Sequence, residues 1–180
     1  VLRTSEKQSL RTPLQLLVIS SYLNRLHFIA QINNRVTWDE KQWKFSPGVL
    51  SQLLVLLPFI FANRKIPLSR IHEAYTGMDL ELLVGEPIDP SDLNDDLFAR
   101  VLDRIFESGC SDLFSAIALS VRLTFELPDD YLLHSDTTSH VLYGDYPERE
   151  DYTPPLTITN GYSKQKRDDL KQIMTGMVTD

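Results

Sequence analysis

Cysteine is almost absent from this chain: of 180 residues only Cys110 carries a thiol. A single thiol excludes an internal disulfide and any cysteine-based zinc cluster, and a reducing cytoplasm is the compartment that fits. Glycine is scarce too, with seven residues. That leaves little room for a glycine-rich phosphate loop, and neither that loop nor a GxSxG elbow, an HExxH pair or an EF-hand loop is found. The chain does not open with a basic segment, an apolar core and a small-residue cleavage site, so no export signal is expected. Long apolar runs are missing as well. The longest, 49–62, is interrupted by Ser51, Gln52 and Pro58 and falls short of the roughly 20 apolar residues of a membrane span. A buried helix is expected there, and no membrane partner.

What remains is an ordinary globular composition, 42% hydrophobic and 24% charged, at a length that suits one domain or a domain and part of another. The net charge of -7 hides an asymmetry: residues 1–72 hold 10 Lys and Arg against 3 Asp and Glu, whereas residues 73–136 hold 3 against 15. A basic block on an acidic chain permits phosphate contact locally, because the nearby charge and not the total governs it. A helical surface that is basic for no such reason is the equal alternative.

The first two-thirds read as helical. From Pro13 the apolar residues Leu14, Leu17, Val18, Tyr22, Leu26, Ile29 and Ala30 recur at three- and four-residue spacing, the pattern of one helix face. Ser46-Pro47 supplies a cap and a first-turn proline to the run 49–61. A shorter helix is expected over 68–75, stopped at Gly77. Asn94-Asp95-Asp96 is the clearest helix start. Asn94 can accept from orphan N–H groups and the aspartates suit the positive helix end, so the acidic pair reads as capping before it reads as a metal site. That helix should run through Leu97, Val101, Leu102, Ile105 and Phe106 to Gly109, and a further one from Ser111-Asp112 to the break at Pro128.

Beyond Pro128 the composition turns to β. Residues 131–143 and 156–162 read as two strands joined by a long polar hairpin loop, and the alternation in 171–180 favours a third strand. The expected division is therefore a helical domain over 1–127 and a mixed one over 128–180.

One carboxylate stands out in the β-rich part. In Leu132-Leu133-His134-Ser135-Asp136-Thr137-Thr138-Ser139 an apolar run gives way to a single aspartate followed by three hydroxyls. On a strand His134, Asp136 and Thr138 share a face, with Ser135 and Thr137 opposite. A strand aspartate needs a polar partner, a metal or solvent to offset desolvation. Asp136 could bond Thr138 or close a turn, or it could be a magnesium ligand. His134 reads as an exposed or satisfied strand histidine, and no motif supports a His134–Ser139 nucleophile pair. Downstream, Lys164, Lys166, Arg167 and Lys171 surround Asp168-Asp169. They are either solvated surface or, beside a carboxylate-metal site, a set for DNA phosphates.

Four segments in order carry a resemblance: Leu133-His134-Ser135-Asp136-Thr137-Thr138-Ser139, then Tyr143-Gly144-Asp145-Tyr146, then Ile158-Thr159-Asn160-Gly161-Tyr162-Ser163-Lys164, then Arg167-Asp168-Asp169-Leu170-Lys171-Gln172. Together they resemble the start of the catalytic domain of bacterial DDE-type insertion-sequence transposases. Leu80-Glu81-Leu82-Leu83-Val84-Gly85 and Leu93-Asn94-Asp95-Asp96 resemble the helical N-terminal domain of unknown function in one branch of that group. The resemblance implies an α+β chain: a helical domain, then the first antiparallel strands of an incomplete RNase H-like domain. It implies that Asp136 is the first catalytic and metal-binding carboxylate, holding Mg²⁺ or Mn²⁺ for in-line attack on a phosphodiester. In that pattern a second Asp and a Glu lie beyond residue 180, and Asp145, Glu148, Glu150 and Asp151 do not replace them.

The leading expectation is thus a truncated DDE transposase, inactive alone, with element-end DNA and a second copy of the chain as partners and Lys164, Lys166, Arg167 and Lys171 as DNA contacts. The alternative is a non-enzymatic DNA-binding or protein-interaction module built on residues 1–72. A third class, a free-standing hydrolase, requires two further acidic side chains within metal-bridging reach of Asp136.

Overall fold

The computed structural model describes residues 12–60, 66–127, 134–144, 146, 158–161 and 166–179. Among the described residues seven α-helices precede a three-stranded antiparallel sheet, the α+β class expected from the sequence. The chain divides into two compact units, Val1–Leu127 and Pro128–Asp180. Among the described residues no helix is long and apolar enough to cross a membrane.

The helical unit is organised on α3 (Pro47–Ile60). Its start follows from local chemistry: the Ser46 hydroxyl accepts from the Val49 N–H at 3.3 Å, and Pro47 occupies the first turn, where a missing N–H costs little. Val49, Leu50, Leu53 and Leu56 are fully buried. Around them pack Leu16 of α1 (Leu14–Arg25), Ile71, Ala74 and Tyr75 of α4 (Ile71–Tyr75), Leu80, Leu83 and Val84 of α5 (Leu80–Val84), and Phe98 and Val101 of α6 (Asp95–Glu107). Burial of one such leucine or phenylalanine contributes about 1.5–3 kcal/mol. One polar residue that interrupts the run serves as a tie: the Gln52 amide donates to the Leu83 carbonyl at 2.8 Å, and the Ser20 hydroxyl of α1 donates to that same carbonyl, linking α1, α3 and α5. A second cluster joins Phe28 and Ile32 of α2 (Phe28–Asn33) and Val36 to Leu113 of α7 (Cys110–Thr124).

Two expectations need correction here. The pattern from Pro13 to Ala30 is two helices, because His27 takes a left-handed conformation (φ 51°) between α1 and α2. The buried face of α1 is also not the one that spacing selects. Leu16 and Ser20 are inside, while Leu14, Val18 and Tyr22 are exposed. Apolar residues lie around most of this helix, so periodicity alone cannot choose a face, and contact with α3 and α5 decides it. The helix expected over 68–75 begins as a 3₁₀ turn, Leu68–Arg70, and continues as α4. Further on, Asn94 caps α6 as expected, its side-chain oxygen accepting from the Leu97 N–H at 3.1 Å. Gly109 (φ 88°) then separates α6 from α7, a conformation that an L side chain would resist.

In the second unit β1 (His134–Leu142) pairs antiparallel with β3 (Lys171–Thr179) over nine residue pairs, from His134 with Thr179 to Leu142 with Lys171. Of the strand expected over 156–162, the described residues show β2 (Thr159–Asn160), which pairs with Gln172 and Lys171 at the start of β3; residues 156, 157 and 162 lie outside the described residues. The hairpin partner of β1 is therefore β3, not β2, and β3 lies in the centre of the order β1-β3-β2. β3 offers one edge to β1 and the other to β2, and the nine-pair ladder fixes the register of β1.

Candidate metal and nucleic-acid face

Register decides what faces what. Residues opposite one another in an antiparallel pair lie on the same face, so Asp136, Thr138, His140 and Leu142 share a face with Met177, Thr175, Ile173 and Lys171. Ser135, Thr137, Ser139 and Val141 lie on the other, with Val178, Gly176, Met174 and Gln172. Asp136 is exposed in the first half of β1, directly across from Met177. The Thr137 N–H donates to its Oδ1 at 2.8 Å, which steadies one oxygen of the carboxylate. The expected bond to Thr138 is not the one formed here; the neighbouring amide fills that role.

The residues present fit one part of a metal site. A hard cation such as Mg²⁺ takes one or two carboxylates and completes its shell with water and substrate phosphate, and an exposed strand carboxylate suits such a role. Among the described residues, however, no group of three His, Cys, Asp or Glu side chains could hold a metal ion. The requirement of the free-standing hydrolase is not met among them. Residues 145, 148, 150 and 151 lie outside the described residues, as does Lys164.

The basic residues lie at the far end of the sheet. Lys171 faces Leu142, six positions along the ladder from Asp136, a separation of about 20 Å at strand rise. Lys166 is exposed in a left-handed turn (φ 57°). The Arg167 guanidinium makes two bonds of 2.8 Å to the Asp169 carboxylate and lies 6.0 Å over the Tyr143 ring. The hydrogen bond to Asp169 raises the Arg167 pKa, and the same bond holds the Asp169 carboxyl below the usual carboxylate range. Lys171 Nζ donates to the Tyr146 carbonyl at 2.8 Å. Tyr143 and Tyr146 are themselves exposed. The sequence motif contains both, but it is the return of β3 alongside β1 that brings the cations to them.

Among the described residues, four cations of the basic block make contacts within the helical unit. Arg70 pairs with Glu73, and Lys44 with Asp92 at 2.5 Å. Arg25 lies 4.7 Å over the Phe125 ring, and Arg35 bonds the Gln31 carbonyl at 3.1 Å. The side-chain hydrogen bond from Arg70 lowers the Glu73 pKa. Exposed pairs of this kind contribute little to stability, yet each one reduces the local surplus of positive charge.

Residues 12–119 match the family model described as a domain of unknown function, DUF4277. The chain belongs to that family. The matched DUF4277 region covers α1 to α6 and most of α7 and ends ahead of β1, so Asp136 and the basic turn lie outside it. No curated protein and no solved structure matches the chain.

Proposed function

We infer that this chain is the N-terminal part of a DDE-type insertion-sequence transposase. The DUF4277 helical unit is followed by the opening strands of an RNase H-like catalytic domain, and Asp136 is the first metal ligand. The observation that carries the reading is an exposed aspartate in a nine-residue antiparallel strand, with the motifs of the resemblance distributed in order over β1, the turn at Tyr143, β2 and β3. The apolar pattern of β3 adds support. It offers Ile173 and Met177 to one face and Met174 and Val178 to the other, and Met174, Met177 and Val178 are exposed. A sheet meant to keep one face in water alternates apolar and polar side chains, whereas one that is apolar on both faces is built to be covered on both.

Mg²⁺ or Mn²⁺, when bound, would supply Lewis-acid stabilisation of charge on phosphate oxygens. The part of this chain is to hold one carboxylate in place: β3 fixes the strand, and the Thr137 amide fixes Oδ1. Element-end DNA is the substrate of this reading, and the 180 residues alone are expected to be inactive.

The test is cleavage of element-end DNA by the product of the coding frame read on past Asp180. Metal-dependent nicking is expected, and Asp136→Asn should reduce it to background while leaving the melting temperature unchanged, since the side chain is exposed. Undiminished cleavage by the Asp136→Asn protein would overturn the assignment of Asp136, and no cleavage by the parent protein would favour the alternative, a non-enzymatic module built on the helical unit.

A further inference from the structure

The end of the sheet remote from Asp136 holds the most unusual surface of the second unit. Tyr143 is 73% exposed and Tyr146 42% exposed, three residues apart in sequence. Gly144 between them has φ 143°, and a Cβ there would lie 3.1 Å from the Tyr146 ring, so the close turn requires glycine. Arg167 reaches over the Tyr143 ring, and Lys171 is anchored on the Tyr146 carbonyl. Lys166, next to Arg167, is exposed. Asp169 bonds this group through Arg167.

We propose that this cluster is a platform for unpaired nucleotides of a DNA strand, with Tyr143 and Tyr146 stacking on bases and Lys166, Arg167 and Lys171 contacting phosphates. Aromatic faces interleaved with cations are the composition that single strands require, because every base offers a π face while a paired duplex hides it. Phosphate contact by lysine and arginine adds an electrostatic component that depends on salt. The platform's link to cleavage rests on the transposase reading. On that reading the bases held here lie about 20 Å from the bond at Asp136, roughly six stacked nucleotides away.

The experiment uses the 180-residue protein in EDTA, with fluorescence anisotropy of a labelled oligothymidylate of about 15 nucleotides and of a duplex of the same length. The single strand is expected to bind at least about tenfold more tightly than the duplex. Tyr143→Ala should weaken single-strand binding roughly tenfold, and Tyr143→Phe should keep it within about twofold. Lys166→Ala should lower the salt slope by about 0.7. Equal affinity for duplex and single strand would overturn the platform. So would an unaffected Tyr143→Ala protein, or an absence of binding at low salt. Binding is measured in EDTA, whereas cleavage requires the metal. Failure of metal-dependent cleavage and failure of this platform are therefore read separately.

Discussion

At Gly48 the backbone of α3 lies close against that of α2. A Cβ added there would run into the Ile29 backbone, meeting the carbonyl oxygen and lying 2.8 Å from the carbonyl carbon. The Gly48 N–H donates to Asn33 Oδ1 at 2.7 Å, so the approach is also held by a hydrogen bond. Backbone atoms cannot move aside as a side-chain tip can. Gly48→Ala is expected to destabilise the helical unit by about 2–3 kcal/mol, measured as a lowered urea midpoint at unchanged slope. A midpoint equal to that of the parent would mean that the two helices are not in backbone contact. Nothing in the sequence marks Gly48 as different from any other glycine, since its role is set by a segment 19 residues away in the chain. Asp136 was easier to find, because an aspartate in a β-rich run is conspicuous wherever the strand goes. What faces it could not be read: Met177 lies opposite only because of the β1–β3 register.

Helix ends in this protein are local events, and local events are readable. Asn94 accepts from the Leu97 N–H, Asp79 accepts from the Leu82 N–H at 3.0 Å, and Ser46 accepts from the Val49 N–H. Each replaces water at an amide that the helix itself leaves unbonded. Asn94→Ala should therefore cost about 1 kcal/mol, while Asn94→Asp or Asn94→Ser should keep most of the stability. Chemical unfolding of the three proteins side by side is the check, and equal loss in all three would show that the cap does not stabilise α6. The same scale shows where reading fails. The five residues of α5 are too few to display a period, so that helix appears only once its cap and packing are seen. The partner of β1 is likewise not a local matter: chain order points to the nearer strand, β2, whereas β3 lies between the two and pairs with both.

Across the whole molecule, stability against pH has two limbs with different causes. Tyr75 is fully buried in the helical core, its hydroxyl donating to the Leu53 carbonyl, and burial raises its pKa well above the usual range. The neutral form is the one the fold accepts. Its contribution is thus fully present below the unfolded value of about 10 and declines as pH rises from there towards the folded value. Glu73, Asp89 and Asp169 behave oppositely. Hydrogen bonds from Arg70, from Ser91 and from Arg167 lower their pKa values, so what they add is present above about pH 4 and is lost as pH falls through the folded values. Tyr75→Phe should lower stability at neutral pH by about 1 kcal/mol and flatten the alkaline limb, with the acid limb unchanged. Urea unfolding across the pH range measures this, and a parent-like alkaline slope in Tyr75→Phe would show that another group sets that limb.

The α+β class, the cap at Asn94 and the presence of a carboxylate-bearing strand were determined by the sequence itself, because each depends on residues within one or two turns of one another. The buried face of α1, the closeness required at Gly48, the pairing of β1 with β3 and the separation of about 20 Å between Asp136 and the basic turn were decided only by the tertiary structure. These depend on contacts between segments far apart in the chain, and local patterns do not distinguish among the partners on offer. For Asp136 the consequence is direct. Its chemical identity was legible from the sequence, but the surroundings that decide what it can do were not.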